Sequence, residues 1–321
     1  MASNAPVPET AGAGTGGRSR FWAGFWRLAD PKISLASLAS MFLGACAAAR
    51  AGRLAPQWLA LTVFGVLAIE IGKNASGEII DFDSGVDPDV APEERSPFSG
   101  GKRVLVDGLL TKRQTGAISA GAYLIGCAIG LAITALRAPS VLWLGVAGVA
   151  MAFFYHASPL RLSYRGLGEA AVALCYGPMI LAGTYLVQRG DVPREIVLLG
   201  VPLGLVIAAF LWVNEYPDYR TDRDHGKRTL VVRLGRRRAA GVFSAILSAA
   251  FGLLAIAPAI SSLPPSIWAG FVGLPPAAFA AVRLVKHPED VRRVIPAQAA
   301  TLVSFVLLSL GAGLGLLVSV R

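Results

Sequence analysis

The sequence predicts an all-α membrane protein, a polytopic bundle of about nine transmembrane helices around a central cavity. Of its 321 residues, 54% are hydrophobic and only 16% are charged, whereas soluble domains carry about a quarter charged residues. The hydrophobic residues are gathered in long segments instead of being spread evenly along the chain. Such segments can cross the hydrocarbon core of a bilayer, which is about 30 Å thick, as helices.

The predicted spans and the polar ends of the chain give the domain organisation. The tail up to Arg20 is rich in Ala, Gly, Pro and Ser and has no apolar core, so residues 1–25 are predicted to be a disordered N-terminal tail. Residues 26–321 are predicted to form one transmembrane domain. The fourth span is short, and the eighth contains Pro275–Pro276. The nine spans cover residues 33–51, 58–79, 115–136, 140–157, 168–187, 195–216, 239–260, 265–284 and 297–319.

The basic residues predict the orientation in the membrane. With a cytoplasmic N-terminus, 24 of the 30 Lys and Arg residues fall on the cytoplasmic side and six on the other, as the positive-inside rule requires. This distribution explains the net charge of +10 without a nucleic acid partner, which would need a basic face on a soluble fold. The lack of an organelle-targeting segment favours the plasma membrane. The basic residues on the opposite side are Arg50, Arg53, Arg137, Arg189, Arg194 and Arg321.

Two polar clusters occur where predicted helices emerge on the cytoplasmic side. Within each cluster an Asn and two acidic residues recur at intervals of three or four, so a continuing helix would place these three on one face. Four crossings separate the clusters, so both lie on the same side of the membrane. The first cluster, KNASGEIIDFDSGVDPD, carries Asn74, Glu78, Asp81, Asp83 and Asp87. The second cluster, NEYPDYRTDRDHGKRTL, carries Asn214, Asp218 and Asp222.

Carboxylates in these positions are typical of a magnesium site. Ionisable groups at membrane depth are costly unless they are paired or coordinated, and Mg²⁺ commonly takes one or two carboxylates plus substrate phosphate oxygens. Two facing clusters could therefore hold a pair of ions around a diphosphate leaving group. The alternative is that the acids are solvated loop residues that balance a basic surface. Basic residues nearby are candidate diphosphate contacts, although each could equally be a topology determinant: Arg95, Lys102, Arg103, Lys227 and Arg228.

Taken together, the motifs resemble the UbiA-type superfamily of integral membrane prenyltransferases over nearly the whole chain after the tail. Asp218 and Asp222 match the DxxxD motif of that superfamily. GKRTLVVRLG (226–235) and YHASPLRLSYRGLGE (155–169) are similar to the branch that prenylates 1,4-dihydroxy-2-naphthoate in menaquinone synthesis. The first motif departs from the branch pattern NxxNDxxDxxxGxD, because Gly77 replaces the second Asn and Glu78 replaces the adjacent Asp. Since glycine offers no amide ligand, either Asn74 covers that role or the cluster binds differently.

The resemblance implies a Mg²⁺-dependent enzyme that joins the prenyl group of a polyprenyl diphosphate to a small aromatic acceptor within the lipid bilayer. It implies an apolar cavity, open towards lipid, for the prenyl tail. Tyr155 would line the acceptor site, or would be an interfacial tyrosine. The four aspartates would be catalytic. The implied metal ligands are Glu78, Asp81, Asp87, Asp218 and Asp222, and the implied substrate-binding residues are Asn74, Asn214, Tyr155 and Arg161.

Other functions remain as alternatives. The acceptor could be 4-hydroxybenzoate, homogentisate, haem or a chlorophyll precursor, although the 155–169 stretch favours the naphthoate. A transporter or channel would place its ion site near the bilayer midplane, usually with broken helices and repeats, whereas the acids here lie at helix ends. A silent scaffold would not need the Asp218/Asp222 pair. The three Cys and three His are too scattered for a zinc or haem site.

Overall fold

A computed structural model describes residues 15–319 of the chain. Within this range the protein is helical and contains no β-strand. Short 3₁₀ turns and one π-helical turn, Cys175–Met179, connect or interrupt the helices. The α-helices are α1 Thr15–Ala29, α2 Pro31–Ala51, α3 Pro56–Asp83, α4 Lys112–Leu136, α5 Val141–Phe154, α6 Gly168–Leu174, α7 Ile180–Arg189, α8 Arg194–Asp224, α9 Leu230–Leu234, α10 Arg236–Ile260, α11 Leu274–Lys286 and α12 Val291–Val318.

The bundle confirms the predicted all-α membrane fold. Eight spans in the described residues are long and apolar enough to cross a membrane, with α6 and α7 together forming one of them. The shorter α5 has 14 residues, which at 1.5 Å per residue is about 21 Å. The prolines at 275 and 276 do not interrupt a helix. They lie in the first turn of α11, where the missing N–H groups cost nothing, and the irregular segment is the preceding 3₁₀ stretch Pro265–Gly273.

Helix α8 is the central helix of the bundle, packed against α2, α10, α12 and the α6–α7 span. Trp212 and Tyr216 on α8 are fully buried. The polar atom of each donates a hydrogen bond to a backbone carbonyl of α10, and for Trp212 this is the Ala239 carbonyl at 3.1 Å. A Cβ atom added at Gly177 would lie 2.6 Å from the Gly200 carbonyl oxygen. Small residues therefore allow the π-helical turn to approach α8 closely, as is usual between helices in lipid.

Helix α1 corrects the prediction for residues 15–25, which are helical and not disordered. The Gly-rich and Pro-rich start of the chain suggests disorder, but the residues after Arg20 continue a helix with one buried face, whereas Trp22 and Trp26 are exposed. Leu28 is fully buried against Ala75 and Leu110, and Arg27 forms a 2.6 Å ion pair with Asp107. Residues 1–14 lie outside the described residues, and the limits of the domain at 26 and 321 remain a prediction.

The two helices that carry the acidic clusters extend beyond their predicted spans. Helix α3 continues to Asp83 instead of ending near 79, and α8 continues to Asp224 instead of ending near 216. The helical extensions thus contain Asp81, Asp218 and Asp222, whereas Asp87 lies in the connecting segment 84–111 between α3 and α4. Residues 225–229 connect α8 and α9. This continuation confirms that in each cluster the Asn and the two acids spaced from it at helical intervals share a helix face.

Candidate active site

A cavity of about 890 Å³ lies between the ends of α3 and α8. Residues of α1 and of the 84–111 segment also line it. Both acidic clusters therefore face one space, although more than 120 residues separate them in the chain. Arg161 and Arg228 are the two predicted site residues outside the lining. The predicted residues that line the cavity are Asn74, Glu78, Asp81, Asp87, Arg95, Lys102, Arg103, Tyr155, Asn214, Asp218, Asp222 and Lys227.

In the first cluster, Glu78 and Asp81 both line the cavity, and each uses one carboxylate oxygen in a hydrogen bond to the protein. Glu78 accepts a hydrogen bond from the Leu105 backbone N–H at 2.8 Å through Oε1, while its buried Oε2 has no hydrogen-bond partner among the described residues. Asp81 Oδ1 accepts a 2.7 Å hydrogen bond from the Tyr164 hydroxyl. Asn74 donates to the Leu28 carbonyl at 3.0 Å, so its amide also attaches α1 to α3.

Asp87 lies on the segment after α3 and is almost completely buried, with 4% of its surface exposed. Burial raises the pKa of its carboxyl to about 7, and the negative charges of Asp81 and Glu78 contribute to this rise. Gly101, with φ of 74°, passes so close to this carboxyl that a Cβ atom there would lie 2.5 Å from its carbon. The positive charges of Lys227 and Lys102 oppose this rise in the pKa of Asp87.

The second cluster presents oxygens without partners. On α8, the Oδ1 atoms of Asn214 and Asp218 are buried and accept no hydrogen bond from the described residues. Asp222 is 1% exposed. Burying such oxygens unpaired costs about 1–3 kcal/mol each, and more when they are charged. The fold accepts this cost at Asn214 and Asp218, which lie one turn apart on one face of α8.

Lys227 joins the two clusters. Its ammonium lies 3.4 Å from Asp222 Oδ1 and 3.9 Å from Asp81 Oδ2. The preceding Gly226 has φ of 73°, a conformation that turns the chain back so that the Lys227 N–H donates to the Asp222 carbonyl at 2.7 Å. Burial lowers the pKa of Lys227, but Asp222 and Asp81 outweigh it and the net pKa shift is upward. The side chain is a cation at neutral pH.

The structure places Arg161 and Arg228 outside the cavity lining, and their contact with substrate stays a prediction. The Arg161 guanidinium lies 3.9 Å from the centre of the Tyr164 ring and so supports the residue that hydrogen-bonds Asp81. Arg228 has an exposed side chain, and its backbone N–H donates to the Tyr164 carbonyl at 3.0 Å. Glu169 Oε1 accepts a hydrogen bond from the Leu230 backbone N–H at 2.7 Å. The 155–169 stretch thus holds the loop that carries Lys227.

Sequence reasoning missed several cavity residues. Lys73 lies in the α3 span, with its ammonium 5.2 Å from the centre of the Tyr155 ring, and a lysine inside an apolar segment was the available signal. His156 and Glu215 also line the cavity. Burial lowers the pKa of His156 to about 4, against the opposing effect of Asp81, so the ring is neutral. No spacing pattern in the sequence singled out either residue.

A second cavity of about 670 Å³ lies among α3, α4, α5 and the α6–α7 span. Its wall is almost entirely apolar and includes Leu131, Val146 and Phe153, whose side chains are exposed on the outside of the bundle. Four residues line both cavities: Lys73, Tyr155, Val172 and Tyr176. A charged compartment and an apolar compartment therefore meet at these residues, of which Lys73 is the charged one.

The residues of the first cavity fit a divalent cation. Unpartnered buried oxygens of Glu78, Asn214 and Asp218 face a space that also contains Asp81 and Asp87. In the part of the chain that the structure describes, no three His, Cys, Asp or Glu side chains form a complete ligand set for one ion. This arrangement suits Mg²⁺, which keeps several waters and shares its coordination with substrate phosphate oxygens.

Fold and cavities define the class: a multi-pass helical membrane protein with one carboxylate-lined compartment and one apolar compartment. The model of the UbiA prenyltransferase family matches residues 37–297. The chain belongs to the UbiA prenyltransferase family, and it is a prenyltransferase. Family membership therefore decides for a prenyltransferase and against the transporter and scaffold alternatives.

Individual relatives agree with this assignment. The chain is 22% identical over 298 residues to 1,4-dihydroxy-2-naphthoate octaprenyltransferase of Bacillus subtilis, covering 92% of each chain. It is 27% identical over 251 residues to the protein of the same name from Haemophilus influenzae, covering 74% of this chain and 78% of that one. Among solved structures, a UbiA homolog from Aeropyrum pernix superposes with a TM-score of 0.63 at 21% identity, covering 87% of this chain and 96% of that one. A UbiA homolog from Archaeoglobus fulgidus bound to DMAPP and Mg²⁺ superposes with a TM-score of 0.61 at 13% identity, covering 92% and 99%.

Proposed function

We propose that this chain transfers a prenyl group from an allylic polyprenyl diphosphate to 1,4-dihydroxy-2-naphthoate, with Mg²⁺, at the cytoplasmic face of the plasma membrane. The observation that carries the proposal is the meeting of both acidic clusters in one cavity beside Lys227. The relatives named for this naphthoate activity and the homolog bound to DMAPP and Mg²⁺ support the choice of substrates and cation.

The side chains of the cavity suit a reaction in which diphosphate is the leaving group. Asp81 and Asp87 from one side and Asp218 and Asp222 from the other would hold the cations. Mg²⁺, when bound, supplies positive charge to the diphosphate oxygens as the allylic C–O bond breaks. Lys227 and Lys73 would donate hydrogen bonds to the same oxygens. Tyr155 would hold the acceptor ring against the allylic carbon, where the new C–C bond forms as the acceptor carboxyl leaves as CO₂.

The second cavity suits the prenyl tail. Its junction with the first cavity at Lys73 and Tyr155 would place the diphosphate among charges and the isoprene units among apolar side chains. Closing the site on this amphiphilic substrate would keep water away from the allylic cation. The outward-facing wall between α4 and α5 would give the tail access from lipid.

The role of the second cavity in binding long prenyl tails can be tested at Gly148. This residue lines the cavity, and a Cβ atom added to it would have no other atom within 4 Å. We expect Gly148→Leu to lower transfer from an octaprenyl diphosphate about 10-fold, because the new side chain occupies space for a distal isoprene unit. Transfer from geranyl diphosphate should remain near the wild-type rate. The measurement is the ratio of the two rates with the purified enzyme.

Gly121 on α4 provides the matched control, since it has equally open surroundings but does not line the cavity. Gly121→Leu should leave the ratio of octaprenyl to geranyl transfer unchanged. An unchanged ratio in Gly148→Leu would argue against this cavity as the tail site.

The proposed reaction itself is tested with purified protein in detergent. We expect Mg²⁺-dependent release of pyrophosphate from an allylic diphosphate only when an acceptor is present, and its loss on adding EDTA. Mass spectrometry should detect a prenylated naphthalenediol lacking the carboxyl group. An acceptor panel should include 4-hydroxybenzoate and homogentisate, and a product formed only with one of these would overturn the choice of the naphthoate.

A further inference from the structure

The His156 ring fills the space in front of Gly77. A Cβ atom added at Gly77 would lie 2.6 Å from His156 Cε1, 2.8 Å from Nδ1 and 3.1 Å from Nε2. The edge of the ring that carries both nitrogens therefore faces α3 at a position without a side chain. One turn further along α3 is Asp81, which lies on the same side of the helix.

Both nitrogens lack a hydrogen-bond partner that would explain the position of the ring. His156 Nδ1 is buried and has no hydrogen-bond partner among the described residues. His156 Nε2 lies 3.9 Å from Asp81 Oδ2, which is too long for a hydrogen bond. An apolar side chain would fill the same space without burying two polar atoms, so packing alone does not account for an imidazole here.

The separation of 3.9 Å between His156 Nε2 and Asp81 Oδ2 lies between the two distances at which one octahedral cation holds a pair of its ligands. Ligands held at about 2.1 Å from an octahedral ion are about 3.0 Å apart when adjacent and about 4.2 Å apart when opposite. An ion between these two atoms would satisfy both of them.

We propose that His156 is a further cation-binding residue, which supplies from the segment after α5 a ligand that residue 77 cannot supply from α3. The inference rests on the proposed function, since it adds a nitrogen ligand to the same carboxylate site. Imidazole favours first-row transition cations over Mg²⁺. The site therefore binds Mn²⁺ more tightly than Mg²⁺, and the difference depends on His156.

The test uses Mn²⁺ as a paramagnetic probe on the full-length protein in detergent, with a non-reactive thiolo analogue of an allylic diphosphate. Electron spin echo spectroscopy should detect an imidazole ¹⁴N coupling to the bound Mn²⁺, and this coupling should change to ¹⁵N when the protein contains ¹⁵N-labelled histidine. In His156→Gln the nitrogen coupling should be lost, and the Mn²⁺ affinity should fall on the order of 10-fold. His156→Phe, which preserves the ring shape, should behave in the same way.

His225 provides the matched control, because its Nε2 lies 2.9 Å from Asp89 and it does not line the cavity. His225→Gln should retain the coupling. Bound Mn²⁺ that is sensitive to Asp218→Asn but shows no histidine nitrogen would overturn the role of His156 and leave the carboxylate site intact. Mn²⁺ binding that neither Asp218→Asn nor Asp81→Asn weakens would instead overturn the proposed site, and the role of His156 with it.

Discussion

Asp218→Asn is expected to abolish prenyl transfer, with a loss of about 10³-fold or more in rate, while the protein still folds and inserts. Electrostatic stabilisation of the charge that develops during a reaction commonly contributes most to catalysis, and removing one group that provides it costs about 10²–10³-fold. Asp218 Oδ1 accepts no hydrogen bond from the described residues. The isosteric amide therefore removes charge from the cavity without removing a hydrogen bond at that oxygen. The measurement is pyrophosphate release by the purified enzyme.

Asp224 is the matched control for this variant. It lies in the last turn of the same helix, is exposed, and pairs with its neighbour Arg223 at 2.9 Å. Asp224→Asn should keep nearly the full rate. Thermal unfolding of both variants in detergent should match the wild type to within a few degrees. A fully active Asp218→Asn enzyme would contradict the assignment of Asp218 as a cation ligand.

Lys227→Met is expected to lower the rate of transfer at least about 100-fold, because it removes a donor to the diphosphate oxygens. It should also destabilise the protein by about 3 kcal/mol, since it leaves the buried Asp222 carboxylate without its counter-charge. Added Mg²⁺ should restore more stability to this variant than to the wild type, because the ammonium no longer competes with the ion for Asp81 and Asp222. Thermal unfolding with and without Mg²⁺ measures this difference.

The neighbouring Arg228→Met distinguishes this specific role from a general loss of positive charge. The Arg228 side chain is exposed and outside the cavity, so transfer should stay within about threefold of wild type, as is usual for a surface change. Equal losses in both variants would show that the loop acts only through its charge. A Lys227→Met enzyme whose stability responds to Mg²⁺ no more than the wild type would contradict direct competition at the carboxylates.

The general architecture was predictable because bilayer physics leaves few choices. Backbone groups in lipid must be satisfied within helices, so apolar segments of sufficient length indicate spans, and the parity of the crossings places both clusters on one side. The spacing of Asn214, Asp218 and Asp222 likewise predicted a shared helix face, since that pattern depends only on helical geometry. These predictions needed no knowledge of tertiary contacts.

The details that depended on tertiary contacts could not be predicted. Helix α1 is ordered by Leu28 packing against residues distant in the chain, and local composition around residues 15–25 does not report such packing. The meeting of His156 with Gly77 joins two segments whose relative placement no spacing rule provides. Arg161 and Arg228 were selected by proximity in sequence to a motif, but side-chain direction at a turn is set by the backbone conformation, as the φ of 44° at Arg161 illustrates.

The shared wall of Lys73 and Tyr155 has a consequence for how the enzyme encounters its substrate. If the tail enters from lipid while the head group reaches the charges, the long-chain diphosphate need not pass through bulk water. Its effective concentration is then its mole fraction in the membrane and not its amount per litre. We therefore expect apparent KM values for long prenyl chains to rise in proportion to added detergent at fixed substrate, whereas KM for a water-soluble acceptor should not.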